Sequence, residues 1–270
     1  MGICYYVFVG YIPSDHARRC KGCVRPWLSD SPGAVCTPML PHWGFIRLTE
    51  TAMKIVQPSF EILRPANTEE GILALKFIES MARISHRSES GQTEDSYKRF
   101  IENVCVKRGD WSVAEHSSAT VIFTIDRGMS HQLVRHRLFS FTQESTRFVR
   151  YKETDQLSFI KPETFTESMD RGWSDSVARV EWTYFSMLQN NAKPQEARSV
   201  LPNALATKIA VTGNYRVWRS FFLARTTQET QEDFRKITIP LLAEFQNRIP
   251  ILFQDIVPGE KQSVAFSKPR

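Results

Sequence analysis

The stretch Gln132-Leu-Val-Arg135-His136-Arg137-Leu-Phe-Ser140-Phe-Thr-Gln143-Glu144-Ser145-Thr146-Arg147 is the densest set of chemically useful side chains in this sequence. Its three arginines stay charged and fork in plane toward carboxylates and phosphates. Read as a helix over 129–139, the first part puts Gln132 and Arg135 on one face at i, i+3, with His136 and Arg137 pointing elsewhere. Cations in several directions suit two anionic ligands, or one ligand on each side of a subunit boundary. The apolar neighbours Leu133, Val134, Leu138, Phe139 and Phe141 are expected to press these charges inward, where guanidinium groups need partners. The polar part, Gln143 to Arg147, can cradle a phosphate through its backbone N–H groups, Ser145 and Arg147. A solvated basic face followed by a polar loop is the competing reading.

Periodicity gives the elements that must carry this segment. Met53 opens a strand-like run with Ile55, Val56, Phe60, Ile62 and Leu63. Asn67-x-x-Glu70 resembles a capping box and leads into a helix through Leu75, Ile78, Met81 and Ala82. A second helix is expected from Asp95 to Lys107, stopped by Gly109. Ala119, Val121, Phe123 and Ile125 alternate as one face of a strand. Ser174 begins a further helix using Val177, Val180, Tyr184 and Met187. Late helices start near Asn214 and Thr230, the last kinked or broken by Pro240. Strands and helices do not alternate regularly, so the fold class is α+β rather than a doubly wound parallel sheet.

Composition excludes several classes. With 18 Phe and 6 Trp the chain can bury a sizeable core, so disorder is not expected. No run of about 18 apolar residues exists, which argues against a membrane span. The net charge of +6 is spread along the chain, which suits anionic small ligands such as nucleotides better than a nucleic acid. Neither a G-x-G-x-x-G loop nor a Walker lysine is present. The five cysteines, Cys4, Cys20, Cys23, Cys36 and Cys105, are odd in number and crowd the N-terminus, so a cytoplasmic protein with reduced thiols is expected. Residues 1–52 are rich in Pro, Gly and Cys and read as an extension ahead of a regular domain over 53–270. Cys20, Cys23, Cys36, His16 and His42 do not match a common zinc spacing, so no metal is assigned. Cys105, on the apolar face of a helix, is read as core.

Arg135-His136-Arg137, seven further residues, Ser145 and, two later, Arg147 resemble the signature of the flavin-dependent thymidylate synthases. Upstream, Trp111 to His116 is similar to the family's segment before its central strand. Downstream, Glu196 to Pro202 is similar to its arginine-leucine-proline segment. Gly213 to Phe222 resembles its flavin-contacting helix, and Leu223 to Thr226 followed by Thr230 to Asp233 resembles a further recurrent segment. The likeness runs from about Met53 to Phe253 and does not cover residues 1–52. Members often carry Asn-Glu where this chain has Thr142-Gln143, which leaves Gln143 and Glu144 both as candidates. Ser220 stands where Asn or His is frequent, and Asp110 where some members carry His.

The resemblance implies a central, largely antiparallel sheet flanked by helices, and a homotetramer whose sites are shared between subunits. It implies that dUMP becomes dTMP, with methylenetetrahydrofolate giving the one-carbon unit and NADPH-reduced FAD giving a hydride. For dUMP it points to Gln132, Arg135, Gln143, Glu144, Ser145, Thr146, Arg147, Arg198 and Arg225. Arg225 is the catalytic residue by resemblance: a fixed cation at the uracil favours the N3-deprotonated ring. For FAD it points to Ser112, Arg135, His136, Arg137, Gln143, Asn214, Arg216 and Ser220, with Glu115 either near the adenosine or bracing an arginine. Ser145 is read as a phosphate ligand, since no general base is evident beside it. A UMP methylase or dUMP hydroxymethylase would use the same blocks. A non-enzymatic nucleic-acid-binding protein is the reading from a different class.

Overall fold

A computed structural model of the chain describes residues 54–152 and 157–259. The extension over 1–52, with its cysteines and histidines, lies outside the described residues. In chain order the elements are β1 (Lys54–Ile55), β2 (Ser59–Arg64), α1 (Thr68–Ile84), α2 (Ser96–Ile101), β3 (Ser118–Asp126), α3 (Arg127–Leu133), β4 (Ser140–Gln143), β5 (Ser158–Phe159), α4 (Glu167–Gln189), α5 (Pro194–Ala197), β6 (Ala206–Asn214), α6 (Tyr215–Arg225) and α7 (Glu232–Arg248). Four strands form an antiparallel sheet in the order β2-β3-β6-β4, and β1 pairs β5 in a small parallel ribbon. The architecture is α+β, as the pattern of elements predicts.

β3 and β6 are the axis of the sheet. Their nine pairs run from Ser118 opposite Asn214 to Asp126 opposite Ala206. Period-two burial places Ala119, Val121, Phe123 and Ile125 on one face with Ile209 and Val211. On that face they meet Met129 and Leu133 of α3, Trp218, Phe221 and Phe222 of α6, and Phe234, Leu241 and Phe245 of α7 in one core. α1 lies close against the end of α7. A Cβ on Gly71 would stand 1.7 Å from the Arg248 carbonyl oxygen, so only glycine permits this approach.

Local signals account for most helix boundaries. Asn67 caps α1 by accepting from the Glu70 N–H, and Glu70 reaches back to the Ala66 N–H. The second helix is α-helical only to Ile101 and then continues as a π-helix over Glu102–Lys107. The next segment, Trp111–His116, is a 3₁₀ turn. α4 begins at Glu167, seven residues before the expected Ser174, because the Thr166 hydroxyl caps it by accepting from the Met169 N–H. Pro240 does not break α7, which runs unbroken across it. Proline removes one N–H donor there, and the buried side chains Ile237, Thr238, Leu241 and Leu242 around it hold the helix.

Candidate active site

The Arg-His-Arg segment is not helical. α3 ends at Leu133, and the following N–H groups bond at shorter range: Arg135 to the Gln132 carbonyl, His136 to Leu133, Arg137 to Arg135 and Phe139 to His136. These tight turns aim Arg135, His136 and Arg137 in different directions without a helix face. The inward pressure expected from the apolar neighbours is also corrected. Phe139 is buried, but Leu138 is 81% exposed, and the Arg135 and Arg137 side chains lie in solvent with no hydrogen-bond or ion-pair partner among the described residues. Phe139 anchors the turn by packing 4.6 Å from Trp218, and His136 by meeting Phe221 edge-on, which leaves Arg135, Arg137 and Leu138 outside. A Cβ at Gly213 would fall 2.3 Å from the Phe139 ring, so the glycine clears its seat.

Three groups of site residues emerge. In the first, the Arg225 Nε–H donates to His136 Nε2 at 2.8 Å, joining the end of α6 to the turn. Burial, and then the Arg225 charge, hold the His136 imidazole down to a pKa of about 4. Gln132 donates to Gln231 beside the start of α7, at 2.7 Å.

The second group lies where β6 becomes α6. Asn214 is the N-cap, its side chain accepting from the Val217 N–H at 2.9 Å. The Tyr215 N–H bonds the Ser117 carbonyl. Two of the first N–H groups of α6 are thereby spent, and the Arg216 side chain is the charged group of this corner. It is exposed and pairs with Glu115 at 2.5 Å, the bracing alternative for that carboxylate. Ser112 is exposed on the same 3₁₀ turn as Glu115, and Ser220, one turn along α6, bonds the Arg216 carbonyl. A cleft of about 580 Å³ opens beside this corner, lined by Arg64, Glu70, Phe77, His116, Ser117 and Tyr215, none of them among the site residues expected from sequence.

The third group comes after β4. The Gln143 amide donates to the buried hydroxyls of Ser130 and Thr207, so it is engaged within the fold. Glu144 accepts from the Tyr151 hydroxyl at 2.6 Å, which, after burial, pushes that phenol's pKa up. Arg147 N–H donates to Ser145 Oγ, and the Phe148 and Val149 N–H groups to the Ser145 carbonyl. Three N–H groups of the turn are thereby bonded within it, the Ser145 and Thr146 N–H groups have no acceptor among the described residues, and the turn's charged group is the exposed Arg147 side chain. Thr146 is buried, and Arg198 is exposed without an ion-pair partner among the described residues.

The structure thus brings Arg225 to His136 and Arg216 to Glu115, but it does not bring the Ser145 turn to the Asn214 corner. Glu144 pairs with Lys208, six residues down β6 from Asn214, or about 20 Å at strand rise. Sequence reasoning missed Arg219, which is bidentate to Asp255, bonds the Leu252 carbonyl and lies 4.0 Å from the Trp111 ring centroid. The signal was its i, i+3 spacing from Arg216, which places both arginines against the Trp111–His116 turn. The Tyr151 and Gln231 contacts had no sequence signal. Cys105 is fully buried, and burial pushes its pKa up to about 12, so it is core and no thiolate. Among the described residues no cluster of His, Cys, Asp or Glu could hold a metal, and no helix is long and apolar enough to cross a membrane.

Comparison with known proteins adds to this geometry. The chain matches the family described as thymidylate synthase complementing protein over residues 73–251. It is 34% identical over 180 residues to a flavin-dependent thymidylate synthase of Mycobacteroides abscessus, covering 60% of this chain and 70% of that one. A relative of the same description from Mycolicibacterium vanbaalenii is 35% identical over 195 residues, covering 65% and 76%. Among solved structures, the UMP/dUMP methylase PolB from Streptomyces cacaoi, bound with 5-Br dUMP, superposes with a TM-score of 0.61 at 18% identity, covering 75% of this chain and 96% of that one. Thymidylate synthase X from Helicobacter pylori, solved with FAD and dUMP, gives 0.55 at 17%, covering 73% and 99%. The structural likenesses establish a shared fold; the family match spans more than half of the chain and includes the Arg-His-Arg turn, the Ser145 loop and α6. On that ground the chain belongs to the flavin-dependent thymidylate synthases, a family of enzymes.

Proposed function

We propose that this chain methylates dUMP reductively to dTMP, with methylenetetrahydrofolate as one-carbon donor. FAD, reduced by NADPH, supplies the hydride when bound. The observation that carries the reading is that four exposed arginines of the family blocks, Arg135, Arg137, Arg147 and Arg198, have no carboxylate partner among the described residues. Four such free cations within the family blocks point to anionic ligands.

The residues present fit both ligands. Arg216 is an exposed cation at a helix start, with hydroxyls at Ser112 and Ser220, a donor set suited to a diphosphate. Arg135, His136 and Arg137 would complete the flavin contacts. Arg147, Arg198 and the Ser145 hydroxyl would hold the dUMP phosphate, and Gln132 and Arg135 its nucleoside. Of the two carboxamide and carboxylate candidates, Glu144 is half-buried beside Tyr151 and Gln143 is committed to Ser130 and Thr207, so Glu144 is the better pyrimidine contact. Arg225 would favour the N3-deprotonated uracil, raising nucleophilicity at carbon 5, because a fixed cation stabilises the charged ring. The distance of about 20 Å along β6 between the Ser145 turn and the Asn214 corner supports sites shared between copies of the chain in a homotetramer. The catalytic unit is residues 53–270, working in the cytoplasm.

The test is the visible spectrum of the purified protein, then product analysis with dUMP or UMP, NADPH and methylenetetrahydrofolate. A flavin spectrum and dTMP from dUMP are expected. Protein that FAD cannot reconstitute, or methylation of UMP in preference to dUMP, would overturn the reading.

A further inference from the structure

Arg225 is held at two points by its own chain. Its Nε–H donates to His136 Nε2 at 2.8 Å, and its carbonyl oxygen accepts from the Thr238 hydroxyl at 2.7 Å. The guanidinium carbon lies 5.7 Å from the centroid of the Phe234 ring. Nη1 and Nη2 have no hydrogen-bond partner among the described residues. Because the guanidinium is a rigid plane, fixing Nε also fixes the direction in which the two Nη groups donate.

His136 is fixed in turn. Its ring meets Phe221 edge-on, 5.0 Å between centroids at 75°, and Phe139 at 6.4 Å. An imidazole nitrogen accepts a hydrogen bond only when it carries no proton. Accepting at Nε2 from a permanent cation therefore requires a neutral ring with its proton on Nδ1. The depressed pKa of about 4 agrees with a ring that is neutral at pH 7.

We propose that His136 is a positioning residue for Arg225. Its Nε2 lone pair takes the Nε–H, so the two Nη groups alone remain as a planar two-donor fork, matched to the neighbouring acceptors along the edge of a uracil. The proposal rests on the dUMP reading above. It changes what His136 offers a flavin: with Nε2 committed to Arg225, only Nδ1–H is left to donate.

Two measurements test it. Nitrogen-15 spectra of the histidine-labelled full chain at neutral pH, with no nucleotide added, should show the Nδ1–H tautomer of His136 with Nε2 accepting. An imidazolium or an Nε2–H tautomer would overturn the proposal. In turnover, His136→Leu should lower the rate at saturating dUMP by about tenfold or more, the loss of one charge-assisted hydrogen bond. His136→Gln, whose amide oxygen can still accept, should recover most of that rate when both variants are measured at saturating FAD. Combined with Arg225→Ala, His136→Leu should cost less than about a further twofold, because both changes remove one coupled unit. Losses that multiply, or equal loss in the Gln and Leu variants together with release of FAD, would assign His136 to the flavin instead. Wild-type protein that makes no dTMP would sink the functional reading, while the tautomer spectrum would still decide the His136–Arg225 bond.

Discussion

The β3–α3 and β6–α6 corners are built alike and lie at opposite ends of the same two strands. Each nine-residue strand runs into an Asx residue with nearly identical backbone angles, φ −72° and ψ 162° at Asp126, φ −70° and ψ 164° at Asn214. Each side chain then accepts from the N–H three residues on, Met129 in one case and Val217 in the other. Beyond the caps the two helices diverge. α6 keeps its apolar face for eleven residues, burying Trp218, Phe221 and Phe222, and delivers Arg225 at its far end. α3 buries Met129 and Leu133 and stops after seven residues, so its chemistry comes in the turn beyond it. One corner uses a helix as a rigid arm; the other uses a helix as a stop. The Arg225–His136 bond is where the two meet.

Breaking that meeting point should have the largest effect. A side chain at Gly213 collides with Phe139, the anchor of the Arg-His-Arg turn. Gly213→Val should cost about 1–3 kcal/mol or more, the scale of overpacking a tight core, seen as a lower urea midpoint. A variant as stable as wild type would contradict the packing account of this turn.

The caps should matter next. Asn214→Ala and Asp126→Ala should each cost about 0.5–2 kcal/mol. Asp126→Asn sharpens the comparison by making the first corner a copy of the second. Burial raises the Asp126 carboxyl above its ordinary value against the hydrogen bonds from the Met129 and Gly128 N–H groups. With the folded pKa above the unfolded one, the charge costs stability as pH rises through that window. Asp126→Asn should therefore keep the cap and be at least as stable as wild type at pH 7. Equal loss in the Asn and Ala variants would show that the carboxylate itself is required.

A smaller effect should appear in acid. The folded-state pKa of His136 is depressed from 6.5 to about 4, so its contribution is fully present above pH 6.5 and is lost as pH falls toward 4. His136→Gln should flatten that part of the stability profile measured by thermal unfolding. An unchanged slope between pH 6.5 and 4 would place the titration elsewhere.

Much of this was legible from residue type and spacing, because local rules decided it. Asn67 and Glu70 marked the start of α1, the alternation from Ala119 to Ile125 marked β3, and Cys105 was core. The blocks around Arg135 and Asn214 were recognisable because ligand chemistry restricts side chains at fixed offsets. What was not legible depended on tertiary contact. The apolar period through Met129, Leu133 and Phe139 predicted one helix, yet Phe139 is buried from a turn, a distinction that period alone cannot make. Pro240 read as a kink or a break, and it is no break because the core side chains around it outweigh one missing N–H. The bonds of the Gln143 amide to Ser130 and Thr207, which join three elements, had no signal in the sequence.

The central claim is that Arg225 acts on the pyrimidine while the Ser145 turn only holds the phosphate. It is tested most directly by the rate at saturating dUMP in Arg225→Ala and Ser145→Ala, measured beside FAD reduction by NADPH. Arg225→Ala should lose on the order of 10²-fold or more, as for other removed electrostatic stabilisers, with flavin reduction largely kept. Ser145→Ala should weaken dUMP binding by about 0.5–3 kcal/mol and still turn over at saturation. The reverse, a dead Ser145→Ala beside a near-normal Arg225→Ala, would contradict both assignments and make the serine the nucleophile.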